Sequence, residues 1–149
     1  MGNPGGRSGD EIREPTFLTV DEAKGIHSDQ IQRYGGSAEI RDIALLESAV
    51  AQPQAGFGDE YVHKTVFEMA AAYAYHIVMN HPFVDGNKRT GAMTAYVFLA
   101  LNGYELETSE DEFQDVVRRT TSGQVEKQEL AGFLEEELPP FRLQQRLIR

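Results

Sequence analysis

The chain has 149 residues, 40% hydrophobic and 26% charged, with a formal net charge of −10 and a pI near 4.8. That size and balance fit one globular domain with its own core and exclude wholesale disorder. The absence of cysteine excludes disulfides, thiolate metal sites and a cysteine nucleophile, and the acidic field argues against direct nucleic-acid binding.

Residues 1–15, "MGNPGGRSGDEIREP", carry glycine and charge without an apolar stretch. They read as a flexible N-terminal segment rather than a signal peptide. The apolar runs are too short to span a bilayer, so the expectation is a cytoplasmic protein with no membrane partner. The body is expected over residues 16–138, with a C-terminal tail over 139–149.

Thr19 stands three residues before Glu22, the spacing of a capping box, and Val20, Ala23, Ile26, His27, Ile31 and Tyr34 recur at helical intervals. Gly35 and Gly36 end that helix. Asp42 can cap the next one, "IALLESAVAQ", which Pro53 stops. "PQAGFGDEYVHK" has glycine, proline and aromatics but no helical period, and reads as a surface loop or short hairpin. "TVFEMAAAYAYHIVMN" and "TGAMTAYVFLALNG" are apolar around most of their circumference, as helices in the middle of a bundle are. Ser109 and Glu112 form a second capping box before "EDEFQDVVRRT". Gly123 breaks the chain, and "VEKQELAGFLEEEL" is a last helix stopped by Pro139 and Pro140. The sum is an all-α bundle of about six helices.

Between the two most apolar helices lies "HPFVDGNKRTGA", residues 81–92, the densest run of chemically useful side chains in the chain. His81 can accept a proton near neutral pH. Phe83 can anchor the loop in the core. Asp85 is a hard carboxylate suited to Mg²⁺ shared with phosphate oxygens. Gly86, Asn87, Lys88 and Arg89 enter the next helix, where unpaired N–H groups and the positive dipole end attract anions. A base, a metal ligand, an N–H nest and two cations are the parts needed to move a phosphorus group from a nucleotide to a hydroxyl. Neither a Walker A pattern nor a kinase-type GxGxxG is present. By contrast, His27 and His76 sit on apolar helical faces and read as core or half-buried, and His63 reads as a solvated loop residue.

At these residues the sequence resembles the Fic/Doc (Fido) superfamily, whose signature is a His-x-Phe-x-[Asp/Glu]-[Gly/Ala]-Asn loop between two helices. "FLTVDEAKGIH", "RDIALLESAVAQPQ" and "FLALNGYELE" are similar to the death-on-curing (Doc) branch, and the likeness runs over residues 17–138. Fic adenylyltransferases typically read HPFxxGNGRxxR. Here Lys88 replaces the second glycine, and Ala92 stands where the second arginine would be, which is the Doc form. Gly86 is the Fic-like letter. "SGQVEK", residues 122–127, matches the Fic inhibitory helix only in part.

The resemblance implies a toxin of a toxin–antitoxin pair that uses ATP and Mg²⁺. It would transfer the γ-phosphate to a Thr or Ser of a translation factor, elongation factor Tu being the known Doc target. His81 would be the general base, Asp85 would bind Mg²⁺ or orient the reacting groups, and Gly86, Asn87, Lys88 and Arg89 would be the phosphate-binding residues. Gln54, Gly56, Phe57, Gly58 and Tyr61 would form a flap that positions the target. The implied partners are the translation factor and an antitoxin whose disordered tail folds into a groove. The alternatives are adenylyl transfer and a catalytically silent Fido binding module.

Overall fold

The computed structural model describes residues 14–104, 106, 108–121 and 126–137. Six helices stand in them: α1 Val20–Tyr34, α2 Ile43–Ala51, α3 Val66–Asn80, α4 Asn87–Leu101, α5 Glu110–Thr121 and α6 Lys127–Glu137. The rest of the regular structure is a 3₁₀ turn, Gln52–Gln54, and a hairpin of β1 Gly56–Phe57 with β2 Glu60–Tyr61. The all-α expectation holds. The tail at 139–149, Gly123 and the partial inhibitory motif up to residue 125 lie outside the described residues.

The helix starts are where their side chains put them. Thr19 Oγ1 accepts the Glu22 N–H (3.1 Å) and Glu22 Oε1 accepts the Thr19 N–H (2.9 Å), so both capping donors are satisfied reciprocally. Asp42 Oδ1 accepts from Leu45 N–H (3.2 Å) at α2, and Thr65 Oγ1 from Glu68 N–H (3.1 Å) at α3. The second box also forms, Glu112 N–H reaching Ser109 Oγ at 3.1 Å.

α3 is the central element. Ala70, Ala71, Ala72, Tyr73, Ala74 and Ile77 on it are fully buried, and it packs against α2, α4, α5 and α6. Small residues let α4 approach closely. A Cβ on Gly91 would sit 2.8 Å from Val78 Cγ2 and 3.0 Å from the Ala74 carbonyl oxygen. Tyr73 and Phe98 are fully buried, whereas Tyr75 is half-buried. The stretch just before α1 is tied across this pair. Asn102 Oδ1 accepts from Thr16 N–H (2.8 Å), and Tyr73 Oη accepts from Leu18 N–H (2.8 Å).

One part-buried polar node fastens α6. Lys127 Nζ donates to His76 Nε2 on α3 (3.0 Å), lies 3.4 Å from His63 Nε2 and sits over the Tyr75 ring at 5.5 Å. His63 is buried, not solvated as its loop position suggested. Burial, then the Lys127 charge, lowers the pKa of both imidazoles, His76 to about 4. Burial also lowers the pKa of Lys127. α3 and the loop before it thus offer neutral acceptors to the first residue of α6.

Candidate active site

α3 stops because His81 turns into the left-handed region, φ 54° and ψ 54°, the one non-glycine residue at positive φ among the described residues. Such a conformation costs about 1–3 kcal/mol and persists only where surrounding contacts fix it. Those contacts come from the connection between α1 and α2. The Pro82 carbonyl accepts the N–H groups of Arg41 (2.7 Å) and Asp42 (3.0 Å), and Val84 N–H reaches the Glu39 carbonyl (3.1 Å). Ile40 and Phe83 form an antiparallel bridge. Arg41 Nε donates to the His81 carbonyl (2.7 Å) and Nη2 to the Asn80 carbonyl (3.1 Å).

Phe83 is fully buried and stacks on the His27 ring, centroids 3.7 Å apart and planes 5° apart. His27 is 2% exposed, and its Nε2 bonds the Asp85 carbonyl at 2.8 Å. A carbonyl only accepts, so this ring carries its proton on Nε2. His27 is a core histidine, as its helical face suggested, and it also supports the motif.

Asn87 is buried, and its amide is spent inside the loop. Oδ1 accepts Phe83 N–H (3.0 Å), and Nδ2 donates to the Phe83 carbonyl (2.9 Å) and lies 3.3 Å from His81 Nδ1. Its backbone N–H is what it has left to offer a ligand. At 3.3 Å the Asn87 contact does not fix which His81 ring nitrogen carries the proton.

α4 begins on Gly86, φ 82° and ψ 18°, with no side-chain cap. Its first intrahelical bond runs from Thr90 N–H to the Gly86 carbonyl (2.9 Å). The N–H groups of the first turn, Asn87, Lys88 and Arg89, therefore precede the helical ladder at the positive end of the dipole. Lys88 is exposed, and Arg89 is half-buried with its guanidinium 4.3 Å above the Tyr34 ring. Asp85 is exposed, and its Oδ2 accepts Ser37 N–H at 2.7 Å. A Cβ on Gly36 would stand 3.1 Å from Asp85 Cβ, so the glycine pair that ends α1 also makes room for this carboxylate.

The structure thus gathers His81, Asp85, Gly86, Lys88 and Arg89 on one six-residue turn and the helix start that follows it. Gln54 ends the 3₁₀ turn, and Gly56, Phe57, Gly58 and Tyr61 make a separate hairpin whose Phe57 is 84% exposed. Tyr61 anchors that hairpin. Its Oη donates to Glu14 Oε1 (2.9 Å), a bond that raises its pKa, and its ring meets Phe17 edge-on at 5.6 Å. Arg41, His27, Ser37 and Tyr34 were not anticipated at the site. Tyr34, Ser37 and Arg41 lie in or beside the "RYGG" and "RD" segments, whereas nothing local to His27 marks it.

The model of the Fic/DOC family matches residues 17–99. Toxin Doc of Mycolicibacterium smegmatis is 36% identical over 106 residues, covering 67% of this chain and 82% of that protein. Protein kinase doc of Escherichia phage P1 is 29% identical over 117 residues, covering 78% and 91%. The motif at residues 81–89, the helices that hold it and these likenesses agree: the chain belongs to the Fic/Doc family, in its Doc branch.

Proposed function

We propose that this protein is a Doc-type toxin that transfers the γ-phosphate of ATP to a Thr or Ser hydroxyl of a translation factor in the cytoplasm, with elongation factor Tu as the first candidate. The observation that carries the reading is the turn itself. It places an imidazole at the end of one buried helix and an uncapped helix N-terminus with two cations at the start of the next. A relative is named a protein kinase, and the motif letters agree with that chemistry. Lys88 occupies the position where adenylyltransferases keep a glycine. Ala92, where they carry a second arginine, is fully buried in the core, so this chain supplies no nucleotide-orienting cation from that position.

In this reading His81 takes the proton of the target hydroxyl as the oxygen attacks the γ-phosphorus, and the bond to the β–γ bridging oxygen breaks. ADP leaves with that electron pair. Acceptance at Nε2 requires the tautomer protonated on Nδ1. The 3.3 Å contact with Asn87 is long for a hydrogen bond and does not lock the ring in the other tautomer. The N–H groups of the α4 first turn, Lys88 and Arg89 bind and orient phosphate oxygens. The residues fit a magnesium ion that arrives with the nucleotide. Asp85 is an exposed carboxylate with one oxygen committed to Ser37. No group of three or more metal-binding side chains stands among the described residues, and one carboxylate plus substrate phosphates is the usual donor set for Mg²⁺. The ion would neutralise phosphate charge there.

The antitoxin partner follows from the same likeness. A groove of about 380 Å³ between α1 and α4 is lined by Leu18, Ile26, Gln30, Met93, Val97 and Leu101, with Glu22 and Asp29 at hand. An antitoxin segment with apolar anchors and a basic side chain matches those walls. No helix of the described residues is long and apolar enough to cross a membrane, and the net charge of −10 favours protein partners over nucleic acid.

The experiment is transfer from γ-labelled ATP·Mg²⁺ to a purified translation factor by the full chain and by His81→Ala. Wild-type labelling that disappears in a folded His81→Ala protein supports the reading. Undiminished labelling in that variant sinks it.

A further inference from the structure

The motif turn is gripped from outside at both ends, by two side chains that lie far away in sequence. Arg41, forty residues before His81, takes the carbonyl of Asn80, the last residue of α3, and that of the cap residue His81 on its guanidinium fork. Those are carbonyls a helix leaves unpaired, and a cation suits that end of the dipole. His27, fifty-eight residues before Asp85, donates to the Asp85 carbonyl. In a trans peptide the C=O and the following N–H point in opposite directions. Turning the Asp85 carbonyl onto His27 therefore aims the Gly86 N–H away from α1. α1 packs close beside Gly86, since an added Cβ would stand 3.2 Å from Ile31 Cδ1 and 3.6 Å from His27 Nε2.

We propose that Arg41 and His27 are positioning residues with separate duties. Arg41 holds the left-handed His81 so that its ring meets the acceptor hydroxyl. His27 holds the Asp85–Gly86 peptide so that its N–H faces bound phosphate. The kinetic consequences rest on the phosphotransfer reading, whereas the geometry can be read without any reaction.

The first test is therefore spectroscopic, on the full chain, with ¹H–¹⁵N spectra of the His81 ring and the Gly86 amide. Arg41→Ala shifts the His81 signals and spares Gly86. His27→Phe, which keeps the ring stack and deletes the donor, shifts the Gly86 amide and spares His81. His27→Gln, which can still donate, keeps Gly86 closer to its wild-type position, and Arg41→Lys returns part of the His81 signal. These two variants also serve if either of the first pair does not fold.

The second test is steady-state transfer with ATP·Mg²⁺. Arg41→Ala lowers kcat by about 10- to 100-fold with KM for ATP nearly unchanged, and Arg41→Lys recovers part of the loss. His27→Phe raises KM for ATP by about tenfold with a smaller change in kcat. Variants that perturb both ends alike, or neither end, overturn the proposal. If the wild-type chain transfers no phosphate, the functional reading fails, and the spectra still decide whether the two grips act separately.

Discussion

Lys127 Nζ stands 3.0 Å from His76 Nε2, so the first residue of α6 is fastened to α3 through a neutral imidazole. The bond exists only while His76 can accept. Burial first, then Lys127, then His63 hold the pKa of His76 down to about 4, against 6.5 for the free side chain. The unfolded chain therefore binds more protons than the folded one between those values, and the stability this node contributes is complete above pH 6.5. It is lost as the pH falls toward 4. His63 moves in the same direction, opposed by the nearby Glu68 and by the carbonyls of Gln52 and Pro53. The loss should be on the order of 1–2 kcal/mol, solvent screening of these partly exposed groups reducing the full linkage value. Urea titrations across that range should show a steeper fall for wild type than for His76→Gln. Lys127→Met should shrink the fall, because it removes the second cause of the lowered pKa.

Gly91 marks the closest approach of α3 and α4. Alanine would gain helix propensity worth about 1 kcal/mol, but its Cβ would sit 2.8 Å from a stiff valine methyl and 3.0 Å from a backbone oxygen. The steric cost wins, and Gly91→Ala should lose about 1–2 kcal/mol in urea unfolding. A stabilised variant would show that the helix pair is looser than described.

Asn87 ties both polar backbone groups of Phe83 to the helix that follows. Asn87→Ala leaves a buried N–H and a buried C=O without that partner, at about 1–3 kcal/mol for each group that finds no other. The expected result is a loss of about 2–4 kcal/mol in denaturant unfolding, with no detectable transfer activity. The same substitution should also release His81 Nδ1, which the imidazole ¹⁵N shifts would report.

Tyr34 is 49% exposed, yet it carries the Arg89 guanidinium on its ring. An exposed cation–π contact is worth about 0.5–1 kcal/mol. Tyr34→Leu should therefore raise KM for ATP by roughly two- to fivefold, with thermal stability nearly unchanged. An unchanged KM would mean that Arg89 does not need this platform.

Local chemistry made most of the fold legible. Thr19 with Glu22 and Ser109 with Glu112 announced helix starts that the structure confirms. The apolar girth of α3 announced the centre of the bundle. The motif at residues 81–89 was visible because its residues are adjacent in sequence. Arg41 and His27 were not, because the groups they hold lie 40 and 58 residues away and no periodicity encodes such pairing. His63 was misjudged for a similar reason. A histidine in a polar loop looks solvated until a helix from the far end of the chain is laid over it. Tyr34 was counted with the apolar face of α1, whereas the structure turns it to solvent and to Arg89.

On the proposed reading this turn moves a terminal phosphate and not an adenylyl group. Incubating the full chain with elongation factor Tu and Mg²⁺, in parallel with ATP labelled at the α or the γ position, tests it most directly. The account predicts label on the factor from γ-labelled ATP only, with ADP as the other product. Label from α-labelled ATP alone, with pyrophosphate released, would contradict it.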